Sequence, residues 1–243
     1  MQFSTHLLNR AVILIIALCV VMFFFDQQVR GGLGNSLALH YPKNEHYGIW
    51  QYFSHMFMHG SIMHLLFNMY ALFMFGTALE NVLGRFRFLV FYFVCGIGAA
   101  IIYNGVNHFQ FNQVYALLVD SGLNSTDIMQ MIKQYSYPPA VINEEQAGKM
   151  FGVFYSPMVG ASGAIYGILV AYALFFPNNK LMLLFIPYPI AAKFFVPVLL
   201  LLDLFSGVTG FSLFGGGVAH FAHIGGAIMG FLLLLIWRKE FTS

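Results

Sequence analysis

The chain reads as an all-α membrane protein, a bundle of six transmembrane helices in a single domain. Three observations predict this. Hydrophobic residues make up 59% of the 243 positions and charged residues only 8%, against roughly 25% charged in a soluble domain, so there are too few charges to cover a water-facing surface. Six apolar runs recur along the chain, separated by polar, glycine-rich or proline-broken connections. In a bilayer such runs must close their own backbone hydrogen bonds, which makes them helices. The basic residues, finally, fall unevenly among the connections. The net charge of +2 carries no nucleic-acid signal.

Span 1 is expected over about 7–25, apolar apart from Asn9 and Arg10, which can snorkel to an interface. No A-x-A-like site follows it, so it reads as a span and not as a cleaved leader. A long aromatic connection, Asp26 to Gly60, leads to span 2 over 61–83 and span 3 over 86–103. The segment 104–152 is too polar to span. Its caps predict short helices: Asn143 followed by Gln146 reads as a capping box, and Ser125 or Thr126 as the cap of a helix stopped before Pro138-Pro139. These helices are expected at the membrane surface, where their apolar faces can bury. Substrate or lipid contact is the expected role of the insertion. Span 4 is expected over 160–176, ended by Pro177, and span 5 over 194–205. Pro187 and Pro189 break the apolar stretch between them, which is placed in the interface. A glycine-rich loop, Ser206 to Gly217, precedes span 6 over 218–237.

Six spans put both termini on one side. With that side inside, it holds Arg10, Arg85, Arg87, Lys180, Lys193, Arg238 and Lys239, leaving Arg30, Lys43, Lys133 and Lys149 outside. The bias predicts cytoplasmic termini in the cell (inner) membrane and an extracytoplasmic insertion. The cysteines, Cys19 and Cys95, lie in apolar runs and read as packing residues.

Polar side chains inside spans are expensive and therefore informative. Span 4 opens on Gly160-Ala161-Ser162-Gly163, with Tyr166 one turn on. Span 6 carries His220 and His223, and span 2 carries His64 and Asn68 on one helical face. At the helical rise His223 lies about 7 Å and His64 and Asn68 about 5 to 10 Å below the outer ends of their spans. Three distant segments thus place polar groups in one shallow layer. Alone, Ser162 would be a small packing residue and the histidines satisfied core groups; the matched depth argues otherwise. Gly163 and Gly167 face span 4's neighbours as a small-xxx-small pair, and Gly226 and Gly230 do the same on span 6. Close approach there would let His223 take the Ser162 proton as general base. No carboxylate lies near either residue in sequence, so the pair reads as a dyad, with Tyr166 able to hold the imidazole by stacking. The free amide of Ser162 at a helix start, with His64 and Asn68, would stabilise an oxyanion, each donor worth about 3 kcal/mol. Glu80 is expected to bond with the loop between spans 2 and 3. His55 and His59 have a metal-ligand spacing but lack the glutamate of a zinc-protease helix. They are read as structural, and no metal or cofactor is expected.

The Gly160–Gly163 motif, the Ala222-His223…Gly226 motif and the His64…Asn68 pair resemble those of the rhomboid family of intramembrane serine proteases. The resemblance covers the six-span core and leaves out the insertion. It implies Ser162 as nucleophile, His223 as base, and an oxyanion hole of His64, Asn68 and the Ser162 amide. It further implies membrane-spanning protein substrates cut near the outer face beside a small residue, a membrane-embedded first loop, and a movable cap over 206–217 with span 5 as a gate. Two positions depart from the family pattern. Gln51 follows Trp50 where arginine is usual, which is expected to loosen the first loop. His220 stands where a small or amide residue would be less surprising, and it could tune His223 or line a water path. The alternative reading is a non-catalytic rhomboid-like protein that binds transmembrane helices. A transporter would need a polar path through the midplane, which the spans lack.

Overall fold

The computed structural model describes residues 10–29, 32–183, 186–211 and 219–241. The fold is an all-α membrane bundle. Among the described residues, five helices are long and apolar enough to cross a bilayer: α1 (Ala11–Gln28), α4 (Ile62–Leu83), α5 (Arg85–Asp120), α9 (Ala192–Thr209) and α10 (His220–Phe241). The sixth apolar helix, α8 (Ser162–Phe175), has only 14 residues. The connection after α1 carries two short helices, α2 (Gly34–Leu37) and α3 (Gln51–Ser54), and the insertion carries α6 (Ser125–Lys133) and α7 (Glu144–Tyr155).

α8 is the centre of the bundle. Gly163, Ala164, Ile165, Gly167, Ile168, Leu169, Ala171 and Tyr172 are all buried, so most of the helix surface is covered by protein, with Leu174 exposed near its end. It is clasped by α5 and α10, which also pack on each other. Glycines set these distances. A Cβ on Gly226 would fall on the Gly163 carbonyl, and one on Gly230 would stand 2.7 Å from the Gly167 Cα. α4 contains a π-helical stretch at Leu72–Gly76 that packs on α1 and α8. α9 leans chiefly on α10, and its large side chains Phe194, Val198, Leu201 and Phe205 are exposed on the outside of the bundle.

Several expectations change. Residues 104–120 are not connection: α5 continues through them to Asp120. α6 and α7 bury Ile128, Ile132, Ala147 and Met150 against Phe111, Val114 and Leu118 of that extension, with Tyr41 from the first loop. Their apolar faces therefore have a protein partner and need no lipid to cover them. Asn124 caps α6, one residue before the expected serine, while the Asn143–Gln146 capping box closes on both sides. The stretch after Pro177 forms an antiparallel hairpin, β1 (Lys180–Leu183) with β2 (Ile186–Ala191). Its register pairs Ile186, Ile190 and Ala191 and skips Pro187 and Pro189, which suits residues without an amide proton. Glu80 reaches α1 and not the adjacent loop: its carboxylate accepts from the amides of Ala11 and Val12 at 2.8 and 3.1 Å, capping a helix N-terminus. Cys19 and Cys95 are buried free thiols.

Candidate active site

The site is assembled from α4, α8, α9, α10 and the first loop. Met158 and Leu39 exchange backbone hydrogen bonds of 2.9 Å, and the Gly160 amide donates to the His55 carbonyl at 2.9 Å. The residues leading into α8 are thus pinned to the first loop. Gly160 has φ +118°, a conformation side chains other than hydrogen rarely adopt. A Cβ there would also stand 2.8 Å from the Nε2 and Cε1 atoms of His64 and 3.8 Å from Ser162 Oγ. Glycine is required twice, by the backbone turn and by the approach of the imidazole. The turn delivers Ser162 as the first residue of α8, where its amide has no intrahelical acceptor.

Across the glycine seam, His223 Nε2 lies 2.9 Å from Ser162 Oγ. The Tyr166 ring lies flat on the His223 ring, with centroids 4.1 Å apart and planes at 9°. The spacing Ser162…Tyr166 is one helical turn, so a single face of α8 meets both the Nε2 edge and one flat side of the imidazole. Gly163 and Gly226 are the contact points that bring α8 and α10 to this distance.

The surroundings of His223 hold a group that sequence reasoning missed. Asp203 of α9 places Oδ1 at 3.1 Å from His223 Nδ1 and 2.6 Å from His220 Nδ1, while Tyr166 donates its hydroxyl hydrogen to Oδ2. The pair is therefore not an isolated dyad. Asp203 was hard to see because it is 20 residues from His223 and no pattern surrounds it. Its signal was its cost: an acid near the end of an apolar span needs partners. The ligand atoms of Asp203, His220 and His223 lie within 4.8 Å of one another, a donor set of the kind divalent transition metals use. In this structure the set is closed by hydrogen bonds between its own members.

His64 stands beside Gly160, and Asn68 is buried behind it with its amide donating to the His64 carbonyl at 2.8 Å. One hydrogen of that amide is thus committed within α4, and the His64 ring lies against the serine turn at Gly160. His59 meets His64 edge-on at 5.1 Å between centroids. His55 directs Nδ1 to the Gln51 carbonyl at 2.8 Å. Burial pushes both His55 and His59 down to about 4, which keeps them neutral at physiological pH. Gln51 is fully buried and holds the first loop together: its carbonyl accepts from the His40 amide at 3.1 Å and its amide donates to the His46 carbonyl at 2.7 Å. A neutral amide, able both to donate and to accept, bridges the loop here. Positions 212–217 of the expected cap lie outside the described residues.

The comparisons with known proteins agree with this architecture. The rhomboid domain family profile matches residues 46–240. The chain is 28% identical over 201 residues to the rhomboid protease AarA of Providencia stuartii, covering 77% of this chain and 56% of that protein. It is 26% identical over 190 residues to the mitochondrial presenilin-associated rhomboid-like protein of Homo sapiens, covering 76% of this chain and 38% of that one. Rhomboid protein 1, mitochondrial, of Saccharomyces cerevisiae matches at 29% over 116 residues, 44% of this chain and 32% of its own length. These alignments span less than two thirds of each relative. With a profile match over most of its length and six apolar helices in one bundle, the chain belongs to the rhomboid family.

Proposed function

We propose that this chain is an intramembrane serine endopeptidase that hydrolyses peptide bonds of transmembrane proteins near the outer face of the membrane. The observation that carries this reading is the 2.9 Å approach of Ser162 Oγ to His223 Nε2 between two helices locked by glycines. The printed name of one relative, a rhomboid protease, points the same way. In the reaction, His223 Nε2 takes the hydroxyl proton as Ser162 Oγ attacks the carbonyl carbon. The oxyanion forms against the Ser162 amide and the His64 side chain, with Asn68 supporting the latter. His223 returns the proton to the leaving amine, and water then repeats the sequence on the acyl-enzyme.

The depth of the site supports a membrane-borne substrate. Fourteen helical residues span about 21 Å, short of the roughly 30 Å hydrocarbon core. With the Pro177–Lys180 end of α8 at one interface, Ser162 sits about 10 Å inside the other. The basic-residue bias assigns that face to the outside, with both termini cytoplasmic.

Cleavage of a purified transmembrane reporter in proteoliposomes tests the reading. Wild type is expected to cut it, and Ser162→Ala and His223→Ala to lose at least about 1,000-fold of the rate while melting normally. Cleavage by either variant at the wild-type rate would contradict the assignment and favour a helix-binding role without catalysis.

A further inference from the structure

Asp203 occupies a place that an apolar helix does not offer by default. Leu201, Leu204 and Phe205 around it are exposed on the outside of the bundle, whereas the carboxylate is buried and turned inward. Both of its oxygens are engaged. Oδ1 is shared by the Nδ1 atoms of His220 and His223, at 2.6 and 3.1 Å, and Oδ2 accepts from Tyr166. The donors belong to α8 and α10, the two helices that carry the serine and the imidazole. An ionised carboxylate has no proton to give, so each Nδ1 must donate to it. For His223 this fixes the tautomer: the hydrogen sits on Nδ1 and the Nε2 lone pair faces Ser162.

The stack with Tyr166 cannot do this alone. Stacking sets the plane of the ring, but a half-turn about the Cβ–Cγ bond returns the ring to that same plane with a nitrogen and a carbon exchanged. The Nδ1–Oδ1 bond does not tolerate it. We propose that Asp203 is a positioning residue for the peptidase reaction, holding His223 in the serine-facing tautomer and stabilising the imidazolium that forms when Nε2 takes the Ser162 proton. The Nδ1 hydrogen stays on His223 throughout, and Asp203 receives no proton. The carboxylate charge meets a positive ring only after proton transfer, so its contribution falls on the transition state more than on the bound substrate. Tyr166 and His220 fill its other acceptor positions and keep it from turning away. This inference rests on the reading of Ser162 as nucleophile and His223 as base.

The test compares Asp203→Asn with Asp203→Glu in the full chain, reading steady-state cleavage of the transmembrane reporter and the rate of fluorophosphonate labelling. Asn has the shape without the charge; Glu has the charge on a longer arm. We expect Asp203→Asn to lose about 100-fold or more of kcat with KM within about twofold, and Asp203→Glu to retain several times the kcat of Asn. Both should still label slowly at Ser162. Unchanged kcat in Asp203→Asn, or Glu no better than Asn, would overturn the proposal, because shape and packing would then account for the site. Absence of labelling at Ser162 in the wild type would instead remove the underlying reading. A measurement on the unaltered protein stands independent of how the variants fold: the nitrogen-15 spectrum of His223 should show the hydrogen on Nδ1, and finding it on Nε2 would overturn the proposal.

Discussion

α8 and α9 both carry a polar group to the same imidazole, and they hold it in opposite ways. α8 is sealed: backbone meets backbone through Gly163, Gly167, Gly226 and Gly230, and there is no room for a methyl group. α9 is open: it contains Pro197, which removes one of its own hydrogen bonds, and most of its large side chains face outward. Ser162 and His223 therefore share one closely packed unit, whereas Asp203 arrives on a helix that reaches the core through Val196, with Phe195, Leu199 and Leu200 partly buried against it, and through the hydrogen bonds of its carboxylate. On α9, polar capture thus supplements side-chain packing, where α8 relies on backbone contact through glycine.

Substitutions at the two kinds of glycine should separate these regimes. Gly226→Ala places a methyl group on the Gly163 carbonyl, where backbone would have to move. Its expected cost is about 3 kcal/mol or more, with loss of reporter cleavage, read as a fall in melting temperature in detergent. Gly207→Ala, on α9, meets only the side chains of Phe221 and His220 at 3.2 to 3.3 Å. It should cost less than about 1 kcal/mol and keep most activity. Equal losses at the two positions would abolish the distinction between a sealed and an open helix.

A smaller effect is expected where the serine turn meets α4. Gly160→Ala forces a side chain into a φ of +118° and against the His64 ring. Strain of about 1–3 kcal/mol should appear in stability, with a drop in kcat of about 10- to 100-fold as His64 is displaced. Loss of stability with kcat untouched would take His64 out of the oxyanion role.

Much of the site was legible because its chemistry sits in short motifs at fixed helical spacing. Ser162 and Tyr166 lie one turn apart, as do His220 and His223, and the glycine pairs announce which helices touch. Asp203 was not legible, because a third member supplied by another helix leaves no spacing to read. Ending span 5 at Phe205 also placed the acid at the mouth of the helix; with α9 running to Thr209, it lies about 9 Å from that end, level with His223. The extension of α5 was hidden for a different reason. Asn104 and Asn107 look like loop residues by hydropathy, yet both are buried, and Asn104 donates to the Tyr52 hydroxyl at 3.1 Å. Hydropathy reports where the apolar run ends, and here the helix continues beyond that run. Gln51 taught a similar lesson, since a loop expected to be loosened is bridged by an amide.

An effect on stability alone, with the chemistry unchanged near neutral pH, concerns the first loop that buttresses the serine turn. His55 and His59 titrate near 6.5 in an unfolded chain and near 4 in the fold. Between those values the unfolded chain binds more protons. The stability present above about pH 6.5 is therefore lost as pH falls toward 4, by an amount on the order of a few kcal/mol for the pair. Melting temperatures measured from pH 7 to 4.5 should decline, and His59→Phe should shallow that decline. An unchanged slope in the variant would place the acid sensitivity elsewhere.

Cleavage by this chain requires above all a serine activated inside the bundle. Mass-spectrometric mapping of a fluorophosphonate adduct on the wild-type protein in lipid tests it most directly. The adduct is expected on Ser162 alone, and absent from that peptide in His223→Ala. An adduct on another residue, or equal modification of Ser162 with and without the imidazole, would contradict it.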